Sequence, residues 1–225
     1  MSKLTRIAID GPGGAGKSTV AKLIAKKLGF EYIDTGAMYR AVGLKFAREI
    51  KEGNIKVVDK GLAGESDIKM VLDHTEIDFI NESIYLDGEN VDESIRSADA
   101  AMMASKYSAV PLVREKLVEL QRQIASSKNV VMDGRDIGTN VIPDAQYKFF
   151  VTASLETRAQ RRMLELEKKG QTVDYNTIHN EIAQRDKQDR ERKLNPLVQA
   201  EDAVLVDTTS MTIEEVVDFI CKKMI

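Results

Sequence analysis

Residues 7–19 read IAIDGPGGAGKST, an apolar run that ends in an aspartate, breaks into glycines and then continues as an amphipathic segment. The loop at residues 11–18 fits the pattern G-x-x-x-x-G-K-[ST], with a predicted strand before it and a predicted helix after it. Glycines let several backbone N–H groups turn inward, and the positive end of the following helix adds to the field on an anion. The alternative is a glycine-rich turn with a solvated lysine. The flanking strand and helix favour a phosphate-binding loop.

Such a loop indicates that a nucleoside triphosphate binds, but it does not indicate which reaction the triphosphate undergoes. Lys17 is placed to bridge the outer phosphates, and the hydroxyl of Ser18 is placed to hold a magnesium ion. Switch GTPases, motor ATPases and small-molecule kinases all use this loop, so the second substrate must be read from other residues.

The composition is that of a soluble globular protein. The chain has 225 residues, of which 43% are hydrophobic and 31% charged, with a formal net charge of -3, and this balance favours neither nucleic-acid nor membrane binding. Cys221 is the single cysteine, the N-terminal residues lack a signal-peptide pattern, and no apolar run approaches the roughly 20 residues that span a bilayer. We expect a cytoplasmic monomer that acts on small molecules, without nucleic-acid or membrane partners.

An alternation of apolar runs with helical patterns predicts an α/β fold. Strands are predicted at residues 4–10, 30–34, 129–133, 147–153 and 203–207. Their continuous apolar character is typical of strands buried on both faces. We therefore expect a parallel sheet flanked by helices, with the last helix starting at a capping box formed by Thr212 and Glu215.

Two segments do not fit this alternation. Residues 76–91 alternate apolar and polar side chains around an Asn-Glu-Ser turn, which predicts a small antiparallel hairpin in an insertion. Residues 157–192 are rich in arginine, with a break at residues 169–171, and predict two helices that project from the core. The expected domains are a core at residues 1–35, 106–156 and 196–225, a monophosphate-binding insertion at 36–105, and an arginine-rich helical lid at 157–195.

Arginines are the residue type that a transfer of phosphate between two anions requires, because the planar guanidinium neutralises phosphates with bidentate geometry. Arg185, Asp189 and Arg192 fall on one helical face, where Asp189 can orient Arg185 or contact a substrate. A second arginine face is formed by Arg158, Arg161 and Arg162. Ordinary ion-paired helices produce the same patterns. A lid that excludes water from the phosphates is the functional interpretation.

Asp133 ends the apolar run NVVMD, where an acid that orients the magnesium shell would lie. A strand-terminating turn residue is an equally good interpretation. Arg135 and Asp136 follow directly and are expected at the carboxyl edge of the sheet, where open α/β folds bind ligands.

Taken together, the motifs resemble the bacterial cytidylate kinases, members of the nucleoside monophosphate kinase family of P-loop proteins. The resemblance covers nearly the whole chain and rests on IAIDGPGGAGKST, YIDTGAMYRA, ESIRS, ASKYSAVPLVREKL, VMDGRDIGT, RAQRRMLEL and QRDKQDRERKLNPL. It implies transfer of the terminal phosphate of ATP to CMP or dCMP, with magnesium as the cofactor and no covalent phosphoenzyme.

The resemblance also implies roles for individual residues. ATP is expected on Gly11, Pro12, Gly13, Gly14, Ala15, Gly16, Lys17, Ser18 and Thr19, with Ser18 on the metal and with Arg158 and Arg162 as lid residues near the donor. The acceptor is expected against Thr35, Arg40, Ser105, Arg114, Arg135, Asp136, Arg185 and Asp189. The catalytic set that the resemblance implies is Lys17, Arg135, Arg185 and Arg192.

Three other functions compete with this interpretation. A regulatory GTPase needs a guanine-reading N-K-x-D motif, which the sequence lacks. A P-loop nucleic-acid ATPase predicts a basic surface, contrary to the acidic balance. A kinase for another monophosphate, or for a small metabolite such as shikimate, stays open, because a few hydrogen bonds in a closed pocket decide the choice of acceptor.

Overall fold

The computed structural model of the protein describes residues 4–80, 83–168 and 170–224. The chain divides into two compact units, one made of Met1–Tyr32 and Ala125–Ile225 and the other of Ile33–Ile124. The domain boundaries expected from the sequence stay a prediction.

The described strands and helices follow one another in this order: β1 (Arg6–Asp10), α1 (Lys17–Leu28), β2 (Glu31–Asp34), α2 (Thr35–Lys51), β3 (Val57–Asp59), β4 (Leu62–Ala63), α3 (Glu65–Asp73), β5 (Ile77–Ile80), β6 (Ser83–Leu86), β7 (Glu89–Asn90), α4 (Ala98–Tyr107), α5 (Pro111–Ser127), β8 (Val130–Gly134), β9 (Tyr147–Thr152), α6 (Leu155–Lys168), α7 (Tyr175–Glu191), β10 (Val204–Asp207) and α8 (Ile213–Lys223). A 3₁₀ turn at Ser94–Arg96 precedes α4, and a π-helical turn at Ile137–Val141 follows β8.

Within the described residues, the main sheet has the strand order β10-β9-β1-β8-β2. β1 pairs in parallel with β8 and with β9, and β9 pairs in parallel with β10. The register places Asp10 opposite Gly134 on one side and Phe150 on the other. The carboxyl ends of these strands therefore meet at one edge. The predicted parallel sheet flanked by helices is confirmed, and its strands are those expected from the apolar runs.

The core of the first unit lies between the main sheet and the helices on its faces. The apolar face of α1, with Val20 and Ile24, packs in one cluster with Ile7, Phe149 and Ile220. Each such side chain contributes roughly 1.5–3 kcal/mol by leaving water. This packing fixes the position of the loop that joins β1 to α1.

The predicted capping box begins α8. The backbone N–H of Thr212 donates to Oε2 of Glu215 at 2.8 Å, and the backbone N–H of Glu215 donates to Oγ1 of Thr212 at 3.2 Å. These bonds satisfy N–H groups that a helix start leaves without partners.

In the second unit, α2 and α4 pack at very short range. A Cβ atom added to Gly43 of α2 would lie 2.5 Å from the backbone nitrogen of Ala104 and 2.8 Å from the carbonyl oxygen of Ala100, both in α4. The predicted hairpin is confirmed as antiparallel β5 and β6, with Ile77 opposite Leu86, and β7 extends it. Asn81 and Glu82 of the predicted turn lie outside the described residues.

The arginine-rich segment forms the predicted pair of helices, α6 and α7. Lys169, in the predicted break between them, lies outside the described residues. Across residues 4–80, 83–168 and 170–224, no helix combines the length and the apolar character that crossing a lipid bilayer requires.

Candidate active site

The loop between β1 and α1 has backbone geometry that glycine makes possible. Gly11 has a φ of 145°, and a Cβ atom there would overlap the carbonyl oxygen of Val151 in β9. Gly16 precedes α1 with a φ of 88°, in the left-handed region. A side chain at either position would strain the loop. The loop therefore contacts β9 where it follows β1. Where it joins α1, its backbone is accessible to an anion.

Lys17 is 5% exposed, and its Nζ donates to the carbonyl oxygen of Pro12 at 2.7 Å. Burial first, and the positive charge of Arg135 second, lower the pKa of Lys17 from 10.5 to about 7, although Asp133 and Asp10 act in the opposite direction. A bound anion beside the ammonium group would favour its charged form. Burial and Arg135 thus outweigh the two nearby carboxylates at Lys17.

Asp133 lies at the carboxyl edge of the sheet and is 4% exposed. Its Oδ2 accepts a hydrogen bond from the Ser18 hydroxyl at 2.8 Å, and its Oδ1 accepts one from the Tyr32 hydroxyl at 2.8 Å. A serine hydroxyl beside a buried carboxylate supplies the hard oxygen ligands that magnesium prefers, so these residues fit the ion. The sequence identified Asp133 and Ser18 separately. Tyr32 was missed, because nothing in its position within a short strand signals a contact with an acid.

Asp10, the last residue of β1, is a site residue that the sequence analysis did not identify. Its Oδ1 accepts from the backbone N–H of Ile137 and its Oδ2 from that of Gly138, each at 2.8 Å. Burial is the main reason why the pKa of Asp10 rises from 3.8 to about 6, against the lowering effect of these hydrogen bonds. Asp10 thereby fixes the turn after β8, which carries Arg135 and Asp136. The available signal was that Asp10, like Asp133, ends an apolar run in the sequence.

The turn after β8 is joined to the end of α7 by ion pairs. Nε of Arg135 donates to Oδ2 of Asp189 at 2.8 Å, and Nη2 of Arg192 donates to Oδ1 of Asp136 at 3.1 Å. Arg192 also donates through Nε to the carbonyl oxygen of Asn195 at 2.5 Å. The structure therefore brings together these predicted residues of the two segments. Asp189 thus contacts Arg135 in the turn after β8, and the expected contact between Asp189 and Arg185 stays a prediction.

Arg185 is exposed on α7. Its positive charge nevertheless contributes to lowering the pKa of Lys17. The side chain thus acts on the electrostatics of the loop while remaining open to solvent.

The arginine face predicted on α6 has three different environments. Arg158 is buried and donates through Nη1 and Nη2 to the two carboxylate oxygens of Asp186, at 3.1 and 2.6 Å. Arg161 donates hydrogen bonds to the hydroxyl oxygen and the carbonyl oxygen of Thr208. Arg162 is exposed and pairs with a glutamate one helical turn away. Helical spacing places these residues near one another but cannot show which of them turns into the core.

In the second unit, the predicted acceptor residues Thr35 and Arg40 lie in the first turns of α2. Thr35 is its first residue and is 3% exposed. Asp34 caps the helix by accepting from the N–H of Ala37 at 2.8 Å, and it also pairs with Nη2 of Arg40 at 3.3 Å. The cap and the ion pair fix the start of the helix on which both residues lie.

Arg114 and Ser105 lie on neighbouring helices of the same unit. Arg114, in α5, is 3% exposed, with its guanidinium 5.7 Å from the centre of the Tyr39 ring. Its Nη1 donates to the carbonyl oxygen of Ser108 at 3.4 Å. Ser105 is exposed on α4. A buried guanidinium held over an aromatic face is a strong candidate for an anion contact.

Comparison with known proteins identifies the family. A family model described as cytidylate kinase matches residues 7–225. The chain belongs to the cytidylate kinase family. The resemblance inferred from its motifs is therefore confirmed.

Curated relatives agree over almost their whole length. A cytidylate kinase from Caldanaerobacter subterraneus subsp. tengcongensis is 55% identical over 213 residues, which are 95% of this chain and 91% of the relative. A cytidylate kinase from Caldicellulosiruptor saccharolyticus is 52% identical over 220 residues, covering 95% and 92% of the two chains. Among solved structures, an uncharacterized protein from Eubacterium ventriosum matches with a TM-score of 0.52 at 17% identity, covering 99% of this chain and 98% of its own. That likeness concerns the fold alone.

Proposed function

We propose that the protein is a cytidylate kinase that transfers the terminal phosphate of ATP to CMP or dCMP. The observation that carries this proposal is the family match over residues 7–225, which includes a phosphate loop with a buried lysine. In the reaction, an oxygen of the acceptor phosphate forms a bond to the terminal phosphorus of ATP. The bond from that phosphorus to the bridging oxygen breaks, leaving ADP and CDP or dCDP.

The donor is proposed to bind on residues 11–19. Loop N–H groups and the start of α1 support binding of the phosphates, and Lys17 supplies a buried ammonium group beside them. Ser18 and Asp133, whose oxygens lie 2.8 Å apart, would hold magnesium. When bound, the ion neutralises charge on the transferring phosphates.

The acceptor is proposed to bind the residues that the family resemblance implies. The proposed contacts are Thr35, Arg40, Ser105, Arg114, Arg135, Asp136, Arg185 and Asp189, with Arg192 joining the catalytic set. Positive charge on these arginines would offset the repulsion between two anionic substrates. Positioning of the two substrates, without a covalent intermediate, would provide most of the rate acceleration. Arg162 and Arg185, both exposed, suit the proposed lid, which would order them on the phosphates.

The proposal also includes a setting for the enzyme. We expect a monomer in the cytoplasm, because the chain has one cysteine and no composition typical of membrane or nucleic-acid binding. Sedimentation of the purified protein at several concentrations tests the monomer directly, and a concentration-dependent rise in mass would contradict it.

The first experiment measures ADP formation from ATP and magnesium with each acceptor offered separately. The panel is CMP, dCMP, UMP, AMP, GMP and shikimate. We expect strong turnover on CMP and dCMP. Turnover on another acceptor alone would replace the substrate assignment, and ATP hydrolysis that no acceptor accelerates would contradict the kinase.

A further inference from the structure

Asp186 and Arg158 form a buried ion pair in which both partners are nearly inaccessible to solvent. Arg158 is 3% exposed and Asp186 is 5% exposed, although Asp186 lies in the charge-rich helix α7. The two side chains meet in a bidentate arrangement, Nη1 to Oδ1 at 3.1 Å and Nη2 to Oδ2 at 2.6 Å. Two parallel bonds to one carboxylate fix the plane of the guanidinium.

The same guanidinium contacts the phosphate loop. Nη1 of Arg158 donates to the carbonyl oxygen of Gly13 at 3.1 Å, and Nε donates to the carbonyl oxygen of Ala153 at 3.0 Å. The loop also packs on the backbone of Arg158, because a Cβ atom on Gly14 would lie 3.2 Å from Cβ of Arg158 and 3.4 Å from its carbonyl oxygen. Arg158 therefore links the loop to Asp186 in α7.

The bond to Gly13 constrains the orientation of one peptide group. In a trans peptide the carbonyl oxygen and the following N–H point in opposite directions. Since the Gly13 carbonyl points at Arg158, the N–H of Gly14 points away from it. A peptide flip would exchange a hydrogen-bond donor for a carbonyl oxygen on that side of the loop. Anion binding by a glycine loop depends on N–H groups with the correct orientation.

We propose that Asp186 is a positioning residue for the phosphate donor: through Arg158, it holds the Gly13–Gly14 peptide in the orientation that binds the phosphates of ATP. This inference rests on the proposed function of the loop and adds a residue to which no substrate contact was assigned. It also gives Arg158 a specific role, in which the guanidinium holds the loop through the carbonyl oxygen of Gly13.

The test is the Asp186→Asn variant, which keeps the size of the side chain and removes one acceptor and the charge. Calorimetry measures ATP binding with magnesium and without CMP, and steady-state kinetics measure both KM values. We expect the Kd and the KM for ATP to rise by about tenfold. This is the lower end of the loss in affinity that follows when a residue supporting a metal ligand is replaced. The KM for CMP should change by less than about twofold, within ordinary additivity error.

The variant separates positioning of the loop from loose packing of α7. Because α7 also carries Arg185 and Asp189, a general displacement of the helix would weaken the binding of CMP as much as the binding of ATP. That result would overturn the proposal, and so would unchanged ATP binding. Glu181→Gln on the same helix is the matched exposed control and should alter neither Kd. Asp186→Glu, which keeps the carboxylate, should recover part of the ATP affinity.

A second variant covers the case in which Asp186→Asn fails to fold. Replacing Arg158 and Asp186 together by methionine removes both charges, and apolar replacement of a buried ion pair commonly preserves the fold. This double variant lacks the bond to Gly13, so it should also bind ATP about tenfold more weakly while it keeps its KM for CMP. Wild-type ATP affinity in the folded double variant would contradict the proposal. Absence of CMP phosphorylation by the unmodified protein would instead contradict the proposed function.

Discussion

Lys17 is buried, donates to the carbonyl oxygen of Pro12 at 2.7 Å, and has a pKa that burial lowers to about 7. We expect Lys17→Ala to reduce kcat by at least about 10²-fold, because a buried charge aimed at a developing charge is worth several kcal/mol. Its thermal unfolding should remain cooperative, since removing the lysine leaves no unpaired buried cation behind. Lys26→Ala, an exposed change on the same helix, is the control, and near-normal kinetics in Lys17→Ala would contradict the role of the loop.

We expect Asp10 to make the free energy of unfolding depend on pH. Its pKa is about 6 in the folded protein and 3.8 as an ordinary aspartate, so between these values the folded state binds more protons than the unfolded state. Stability contributed by this group must therefore fall as the pH rises from about 4 to about 6. Relative to Asp10→Asn, the wild type should lose up to roughly 3 kcal/mol over this range.

Urea unfolding of both proteins at several pH values measures this difference. The subtraction removes titrations that the two proteins share. A difference that stays constant across the range, or that grows as the pH rises, would show that Asp10 does not carry the raised pKa.

At the scale of single residues, sequence reasoning succeeded where a motif specifies a backbone shape. Lys17 and Ser18 follow from the loop pattern and its context. Asp186 did not follow, because helical spacing predicts neighbours within one helix, whereas its partner Arg158 lies in another helix. Which charged residue of an arginine-rich segment becomes buried depends on packing between helices, and the sequence pattern alone does not specify that packing.

Among the elements, the contact between α2 and α4 depends on Gly43. A Cβ atom there would lie 2.5 Å from a backbone atom of α4, which cannot move aside as a flexible side chain can. We expect Gly43→Ala to lower the free energy of unfolding by roughly 1–3 kcal/mol, the usual cost of overpacking. Chemical denaturation measures the effect.

Gly64→Ala is the matched control for this prediction. Gly64 precedes α3 with a φ of −64°, and a Cβ atom there would meet open space. Alanine is a poorer N-cap than glycine but restricts the unfolded chain, and because these effects oppose each other the free energy of unfolding should change by less than about 1 kcal/mol. Equal losses from the two substitutions would show that the contact with α4 does not account for the effect at Gly43.

The elements of the main sheet were predictable because buried parallel strands appear as short apolar runs between helical patterns. Short exposed strands such as β3 were not predicted. Val57 and Val58 in β3 are exposed, so no alternation of buried and exposed positions marks it as a strand. The close packing of α2 and α4 was also not predicted, since a glycine within a helical pattern does not indicate which helix packs against it.

At the scale of the whole molecule, ATP should stabilise the folded state by mass action. A ligand present at 100 times its Kd that binds only the folded state adds about 2.7 kcal/mol to the free energy of unfolding. We therefore expect magnesium and ATP to raise the Tm of the wild type in a thermal unfolding experiment. Lys17→Ala should lose most of that shift, and an equal shift in both proteins would place ATP elsewhere.

The whole-chain function was accessible from the sequence because several motifs occur together across it, and the family match over residues 7–225 agrees with them. The electrostatic coupling within the site was not accessible. The pKa of Lys17 depends on burial, on Arg135 and Asp133 at the end of β8, and on Asp10 at the end of β1. Only the folded register brings these charges together.

The close approach of Gly11 to Val151 also limits how this gene can vary. Because any side chain at position 11 would overlap a backbone oxygen of β9, replacement requires the sheet edge itself to move. Glycine codons are silent only at their third base, so changes at the first or second base of this codon should disappear from a mutagenised population that depends on the enzyme for growth. The codon for Gly64, where a methyl group meets open space, should tolerate change to alanine under the same selection.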